Sequence, residues 1–295
     1  MSDPVTIAAQ TGHVLFAGAA YDPTAAGSAV AWQRPSGVAL LRRGLATEAL
    51  PGTHPALAKG RVAWREGDAV VIADVATLRR RARHDAPGAG VIAISDGLLA
   101  WRTRDGTGTD RLWARTLGSV DPPRLLLESA SPTEIGRPAV LGGVVLCHVA
   151  GPSGSRVLAV DATTAAQTVL RTEPNAQLTN PSTDGTRILY VRATGRQQEL
   201  RVGPPRAQSP DADAVLLVHA AQGHRDRERE PGRRSHAQGY RHGRPALPPR
   251  TPAGVVATLW STALTADAAY VTRLRATRAS ARTADILRVP AALPG

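Results

Sequence analysis

The chain has 295 residues, 42% of them hydrophobic and only 3% aromatic, with 28 Gly, 23 Pro and a net charge of +12. That length suits one or two domains, and the apolar share supports a sizeable core filled mainly by Ala, Val and Leu. No run approaches the ~20 apolar residues of a membrane-spanning helix, and Cys147, the single cysteine, excludes an internal disulfide.

Short extended segments alternate with Gly, Pro and Asp turns from the start. Thr6–Ala9 and His13–Phe16 come first, then Ala29–Trp32 and Val38–Leu41 around the turn Pro35-Ser36-Gly37. His54–Leu57, Arg61–Trp64 and Ala69–Ala73 make a second unit. Val91–Ile94, Leu98–Trp101, Arg111–Arg115 and Arg124–Leu127 make a third. Arg137–Val140 opens a fourth, continued by Val144–Cys147, Val157–Val160 and Thr168–Leu170. In the fifth, Pro181 and Asp184-Gly185 read as a turn before Arg187–Val191, and Thr194-Gly195 as a hairpin corner before Glu199–Val202. Ala214–Val218 closes that unit, and Val255–Trp260, Ala269–Val271 and Asp285–Val289 form the last.

The large residue ending each second strand is Trp32, Trp64, Trp101, Cys147, Tyr190 and Tyr270; the first five are 32, 37, 46 and 43 residues apart. A drifting period near forty matches a four-stranded propeller blade of ~40–45 residues, and no 3.6-residue apolar period argues for helical repeats. The expected fold is therefore all-β, a six-bladed β-propeller of four-stranded antiparallel blades, one domain over residues 1–295. The last blade lacks a clear fourth strand after Val289, and Val5–Ala9 is the expected closing strand. The final step, Tyr190 to Tyr270, is 80 residues, and the excess is an Arg, Pro and Gly-rich stretch at 222–252, read as a disordered insertion.

Pro181-Ser182-Thr183-Asp184-Gly185-Thr186-Arg187-Ile188-Leu189-Tyr190, followed by Glu199-Leu200-Arg201-Val202, resembles the TolB-type, WD40-like (PD40-type) propeller repeat. Arg201 stands where that repeat usually has a second aromatic, and Ser95–Trp101 repeats the core more loosely. The resemblance implies a six-bladed propeller. It does not imply the TolB activity, because the domain that precedes the propeller in TolB has no counterpart in this sequence.

Site chemistry is sparse. Gly151-Pro152-Ser153-Gly154-Ser155 fails the spacing of a nucleophile elbow and reads as a hairpin loop. His219, His224, His236 and His242 have no metal-ligand spacing, and the arginines around them repel a cation. Asp96 and Asp184 sit in turns, where Asp-Gly serves the backbone. Cys147 reads as a buried apolar residue rather than a nucleophile. No catalytic residue, cofactor or metal is expected.

The positive charge is almost entirely arginine, and beyond Glu230 the insertion carries Arg233, Arg234, Arg241, Arg244 and Arg250 without an acid. These are the candidate partner contacts, through bidentate bonds to carboxylate or phosphate. The expected function is a non-enzymatic scaffold for protein interaction or ligand binding, with a partner at the channel face. A channel enzyme, lyase or glycoside hydrolase, is the alternative, and polyanion binding through the insertion the third. Nucleic acid is not the expected partner, because no recognition motif accompanies the arginines. A monomer is expected. Met1–Pro4 has no basic n-region, so the expected compartment is the cytoplasm unless a longer N-terminus carries an export signal.

Overall fold

Apolar runs of four or five residues, each stopped by a turn, are too short for an amphipathic helix and long enough for a strand. The computed structural model describes residues 13–16, 20–42, 45–195, 197–206, 213–220, 256–276 and 283–290, and these contain strands and turns alone. No helix among them is long and apolar enough to cross a membrane.

After β1 (His13–Phe16), the strands fall into six antiparallel sheets. The first blade is β2 (Tyr21–Ala26), β3 (Ala29–Arg34), β4 (Gly37–Leu41) and β5 (Glu48–Leu50). The second is β6 (Thr53–Ala58), β7 (Arg61–Glu66), β8 (Ala69–Asp74) and β9 (Arg80–Asp85), and the third β10 (Ala89–Ile94), β11 (Leu98–Arg104), β12 (Asp110–Thr116) and β13 (Arg124–Ser129). In the fourth the inner strand is broken into β14 (Glu134–Ile135) and β15 (Ala139–Leu141), followed by β16 (Val144–Gly151), β17 (Gly154–Asp161) and β18 (Gln167–Glu173). The fifth is β19 (Gln177–Thr183), β20 (Ile188–Thr194), β21 (Gln197–Gly203) and β22 (Ala214–Ala220). The sixth is β23 (Val256–Leu264), β24 (Ala268–Ala276) and β25 (Thr283–Pro290), with β1 added at its outer edge. The first strands of successive blades adjoin one another in a ring, so the fold is a six-bladed β-propeller.

Each blade is apolar on both faces. In β8, Val71 and Ala73 pack toward the first blade while Val70 and Ile72 pack toward the third. Six separate apolar clusters fill the six spaces between neighbouring blades. Trp32, Trp64, Trp101, Cys147 and Tyr190 each face the preceding blade, so the sequence repeat marks one structural position. Tyr270 does not share it: Val271 faces the fifth blade, and Tyr270 is turned toward the first. In a strand a one-residue offset reverses the face.

The ring is closed by the N-terminal part of the chain, but not by the expected residues. His13–Phe16 pairs with β25, His13 opposite Arg288 and Val14 opposite Leu287, whereas Val5–Ala9 lies outside the described residues. Pro181 also differs from expectation: it is inside β19, beside a register shift, and only Asp184-Gly185 forms the turn. Strands β2, β5, β9 and β14 were not expected. β9 reads Arg-Arg-Ala-Arg-His-Asp and lies at a blade's outer edge, where charge discourages further strand pairing and no apolar pattern is needed. The stretch 222–252 lies outside the described residues.

One polar node ties the fourth blade to the fifth. Arg171 on β18 donates through Nε to Asp213 Oδ2 and through Nη2 to Oδ1, both at 2.7 Å, and Tyr190 Oη donates to Oδ2 at 2.6 Å. Arg171 also donates to the carbonyls of Leu170, Pro204 and Arg206. Both charged side chains are fully buried. A Cβ on Gly203 would lie 1.8 Å from Asp213 Oδ1, so the carboxylate occupies space that only glycine leaves. Removing one partner of such a pair strands a buried charge and costs about 3–5 kcal/mol, whereas an exposed pair such as Arg288–Asp267 is worth no more than about 1 kcal/mol. Urea unfolding should show Asp213→Ala losing about 3–5 kcal/mol and Asp267→Ala less than about 1 kcal/mol. Equal losses would show that the buried node is not a special support.

Candidate functional site

The inner strands share a second repeat, a bulge. Register shifts fall between Tyr21 and Thr24, Thr53 and Ala56, Ala89 and Ile92, Thr179 and Ser182, and Leu259 and Thr262. In the fourth blade the break between β14 and β15 takes the same place. The residue leading each irregularity is Asp22, His54, Gly90, Arg137, Asn180 or Trp260, with Arg137 in the fourth-blade break. In four of the six, proline follows. Proline lacks the N–H that a regular ladder needs, so it suits a bulge. Asp22, His54 and Asn180 have φ of 48°, 53° and 52°, which turns the chain out of its pleat there.

The extruded residues meet around the axis. Arg137 Nη1 lies 3.2 Å from Asp22 Oδ1, and these residues come from the fourth and first blades, which are opposite in a ring of six. Arg137 is 10% exposed in its side chain and Asp22 22%. Arg102 on β11 donates through Nη1 to the Ile135 carbonyl at 2.9 Å. Burial lowers the His54 pKa; Asp22 opposes this, and the nearby charges of Arg65, Arg137 and Arg102 reinforce it. Its backbone N–H donates to Gln33 Oε1 at 2.8 Å. Burial lowers the Arg137 pKa as well, with Asp22 opposing.

On the fourth and fifth blades the ring continues through His148. Its Nδ1 accepts from the Asn180 N–H at 3.1 Å, and its Nε2 lies 3.9 Å from Glu134 Oε1. His148, then Arg102 and Arg104, hold the Glu134 carboxyl below its ordinary range against the effect of burial. A Cβ on Gly136 would lie 1.6 Å from the His148 ring, so glycine is what admits the imidazole. Asn180 also donates through Nδ2 to the Trp260 carbonyl, and Trp260 is 53% exposed. Beside Glu134, a groove of about 700 Å3 runs between the fourth and fifth blades, lined by Pro152, Ser155, Pro174, Gln177 and Gly195 among others.

Several sequence expectations can be placed. Gly151–Gly154 is the hairpin between β16 and β17, and Ser155 Oγ donates to the Leu178 carbonyl at 2.9 Å while accepting from the Leu178 N–H at 3.0 Å, stapling two blades. Burial pushes the Cys147 thiol up to about 12, so it stays protonated. Asp184 accepts from the backbone N–H groups of Thr186 and Arg187, and despite burial these bonds and the Arg187 guanidinium hold its carboxyl below the usual range. It is a turn residue. Among the described residues no three His, Cys, Asp or Glu side chains are grouped to hold a metal. His219 lies on β22; His224, His236, His242 and the candidate contacts Arg233, Arg234, Arg241, Arg244 and Arg250 lie outside the described residues.

The channel residues were absent from the sequence-based candidates. The signal was a polar residue before proline near the start of a unit, at Asp22-Pro23, His54-Pro55, Arg137-Pro138 and Asn180-Pro181.

No protein-family model matches the chain, and no curated protein matches it in sequence. Among solved structures it is similar to the uncomplexed acylaminoacyl peptidase of Pyrococcus horikoshii, with 10% identity and a TM-score of 0.52 over 88% of this chain and 45% of that one. It is similar to an oligogalacturonate lyase in complex with manganese at 11% identity and a TM-score of 0.50, over 99% of both chains. TolB from Acinetobacter baumannii matches at 12% identity and a TM-score of 0.47, over 94% of this chain and 63% of that one. The chain spans less than half of the peptidase. At these identities the likeness is one of fold.

The depressed His54 pKa has a consequence for stability. The unfolded chain binds this proton more tightly than the folded one, so stability rises with pH across the interval. The contribution is complete above the ordinary value of 6.5 and is lost as pH falls through the lower folded value. His84, lowered by burial and then by Arg115, acts in the same direction. Thermal melts between about pH 7.5 and about pH 5 should show the wild type losing stability on acidification and His54→Gln losing less. An identical pH dependence in the two proteins would remove His54 as a cause.

Proposed function

We propose that the protein is a non-enzymatic binding propeller, a scaffold that receives a protein partner or ligand at its central channel. The observation that carries this reading is the ring of bulges. All six blades interrupt the inner strand; Gly90 brings no side chain, and the other five residues so extruded differ in chemistry: an acid, an imidazole, a guanidinium, an amide and an indole. Bulges commonly re-aim side chains toward sites, and here they bring residues of opposite blades into contact. The groove beside Glu134 adds concave surface at one end of the fourth and fifth blades.

Residues 221–255 join the outer strand of the fifth blade, ending at Ala220, to the inner strand of the sixth, starting at Val256. The described residue that precedes this stretch, Ala220, pairs with Gln197 at the groove's end of the fifth blade. Arg233, Arg234, Arg241, Arg244 and Arg250 are accordingly proposed as additional partner contacts. A channel enzyme is the second reading, favoured by the approach of His148 to Glu134 and by fold likeness to a protein described as an oligogalacturonate lyase.

Affinity capture from the source organism, followed by reconstitution from purified components, tests the reading. The expected result is one partner binding saturably, and at least about tenfold more weakly to a chain lacking 222–252. Nucleic acid alone, released by salt, would support the polyanion reading instead. Cleavage of an oligouronate by the wild type but not by Glu134→Gln would support the enzyme.

A further inference from the structure

We infer that the axial channel is a carboxylate-binding site in which Asp22 is a built-in occupant, displaced from Arg137 by the incoming carboxylate. This rests on the binding reading above and names the ligand chemistry for it.

Three observations converge. The Asp22–Arg137 pair joins opposite blades, so it stands where a ligand entering the channel must pass. Its geometry is incomplete: Arg137 Nη1 is buried and makes no hydrogen bond, although Asp22 Oδ1 is only 3.2 Å away. Arg102 repeats the defect, with Nη1 satisfied by the Ile135 carbonyl and Nε buried without a hydrogen-bond partner. A buried guanidinium donor whose hydrogen bond is unmade or poorly aligned is costly, so these atoms would gain from a better-aligned acceptor.

Charge points the same way. The guanidinium groups of Arg65, Arg102 and Arg137 all act on His54, as does the carboxylate of Asp22, and Arg137 is the one that Asp22 pairs with. Arg104 and Glu134, 4.0 Å apart nearby, offset each other. The acceptor that fits is planar and anionic, because guanidinium groups present paired donors in one plane. Asp22 already demonstrates that a carboxylate reaches Arg137. When a second carboxylate takes that place, Asp22 is released from the pair, and the new ligand adds better-aligned acceptor atoms for Arg137 and Arg102.

Isothermal titration of the full chain with succinate, with phosphate, and with trialanine as free acid and as amide tests this. Succinate, the tripeptide acid, or both should bind the wild type; binding by the acid and not the amide identifies a peptide C-terminus as the source, and succinate alone a free metabolite. Asp22→Asn should bind the same probe at least about tenfold more tightly, because the internal competitor is gone. Arg137→Gln should bind it at least about tenfold more weakly. Should Arg137→Gln fail to fold, Arg102→Gln reads the same site from the third blade. Phosphate binding as tight as succinate, an Asp22→Asn affinity equal to the wild type, or unchanged affinity in both arginine variants would overturn the inference. No carboxylate binding alongside an intact reconstituted partner complex would overturn it while leaving the binding reading standing. Loss of both would end both.

Discussion

A four-stranded sheet that is apolar on both faces cannot hide either by itself. That constraint organises this protein. In β8 and β20 successive side chains pack against different neighbouring blades, so every blade needs one on each side. Only a closed ring satisfies all of them, and six apolar clusters in six spaces are the result. Closure is also what gives β25 a partner, supplied by residues nearly the whole chain away in sequence.

The same ring creates the channel. Inner strands that packed regularly would line it with ladder groups and alternating small side chains. Instead each strand is broken, and the break brings residues from opposite blades into contact. The Asp22–Arg137 pair is thus a product of two things at once: local bulge geometry that turns side chains out of the sheet, and closure that places the first blade across from the fourth. Neither alone gives the contact.

Buried polar groups differ in how fully they are bonded. The Arg171–Asp213–Tyr190 node is saturated with hydrogen bonds and links neighbouring blades away from the axis, as does the Ser155 staple. The axial arginines are not saturated. Such atoms are not confined to the axis, since Arg42, Arg115 and Arg273 Nε and Asp110 Oδ1 are also buried without a hydrogen-bond partner; what sets Arg137 apart is that its carboxylate partner comes from the opposite blade.

Much of the architecture was legible in the order of residues. Runs such as Val144–Cys147 and Ala69–Ala73, the Asp-Gly turns, and the stop residue that recurs in five units from Trp32 to Tyr190, with a further run of strands after it, point to strands, hairpins and six units, because strand formation and turn chemistry are local. Strands without an apolar pattern escaped, β9 above all, since an outer edge makes no packing demand on its residues. The closing strand was sought at Val5–Ala9 and lies at His13–Phe16, because which segment pairs with β25 depends on where the ring brings its ends together. The channel residues were visible in the sequence only as polar-proline pairs at the heads of units. Tertiary structure alone decided that Asp22 meets Arg137, 115 positions along the chain, because opposition across an axis has no local signature in a sequence.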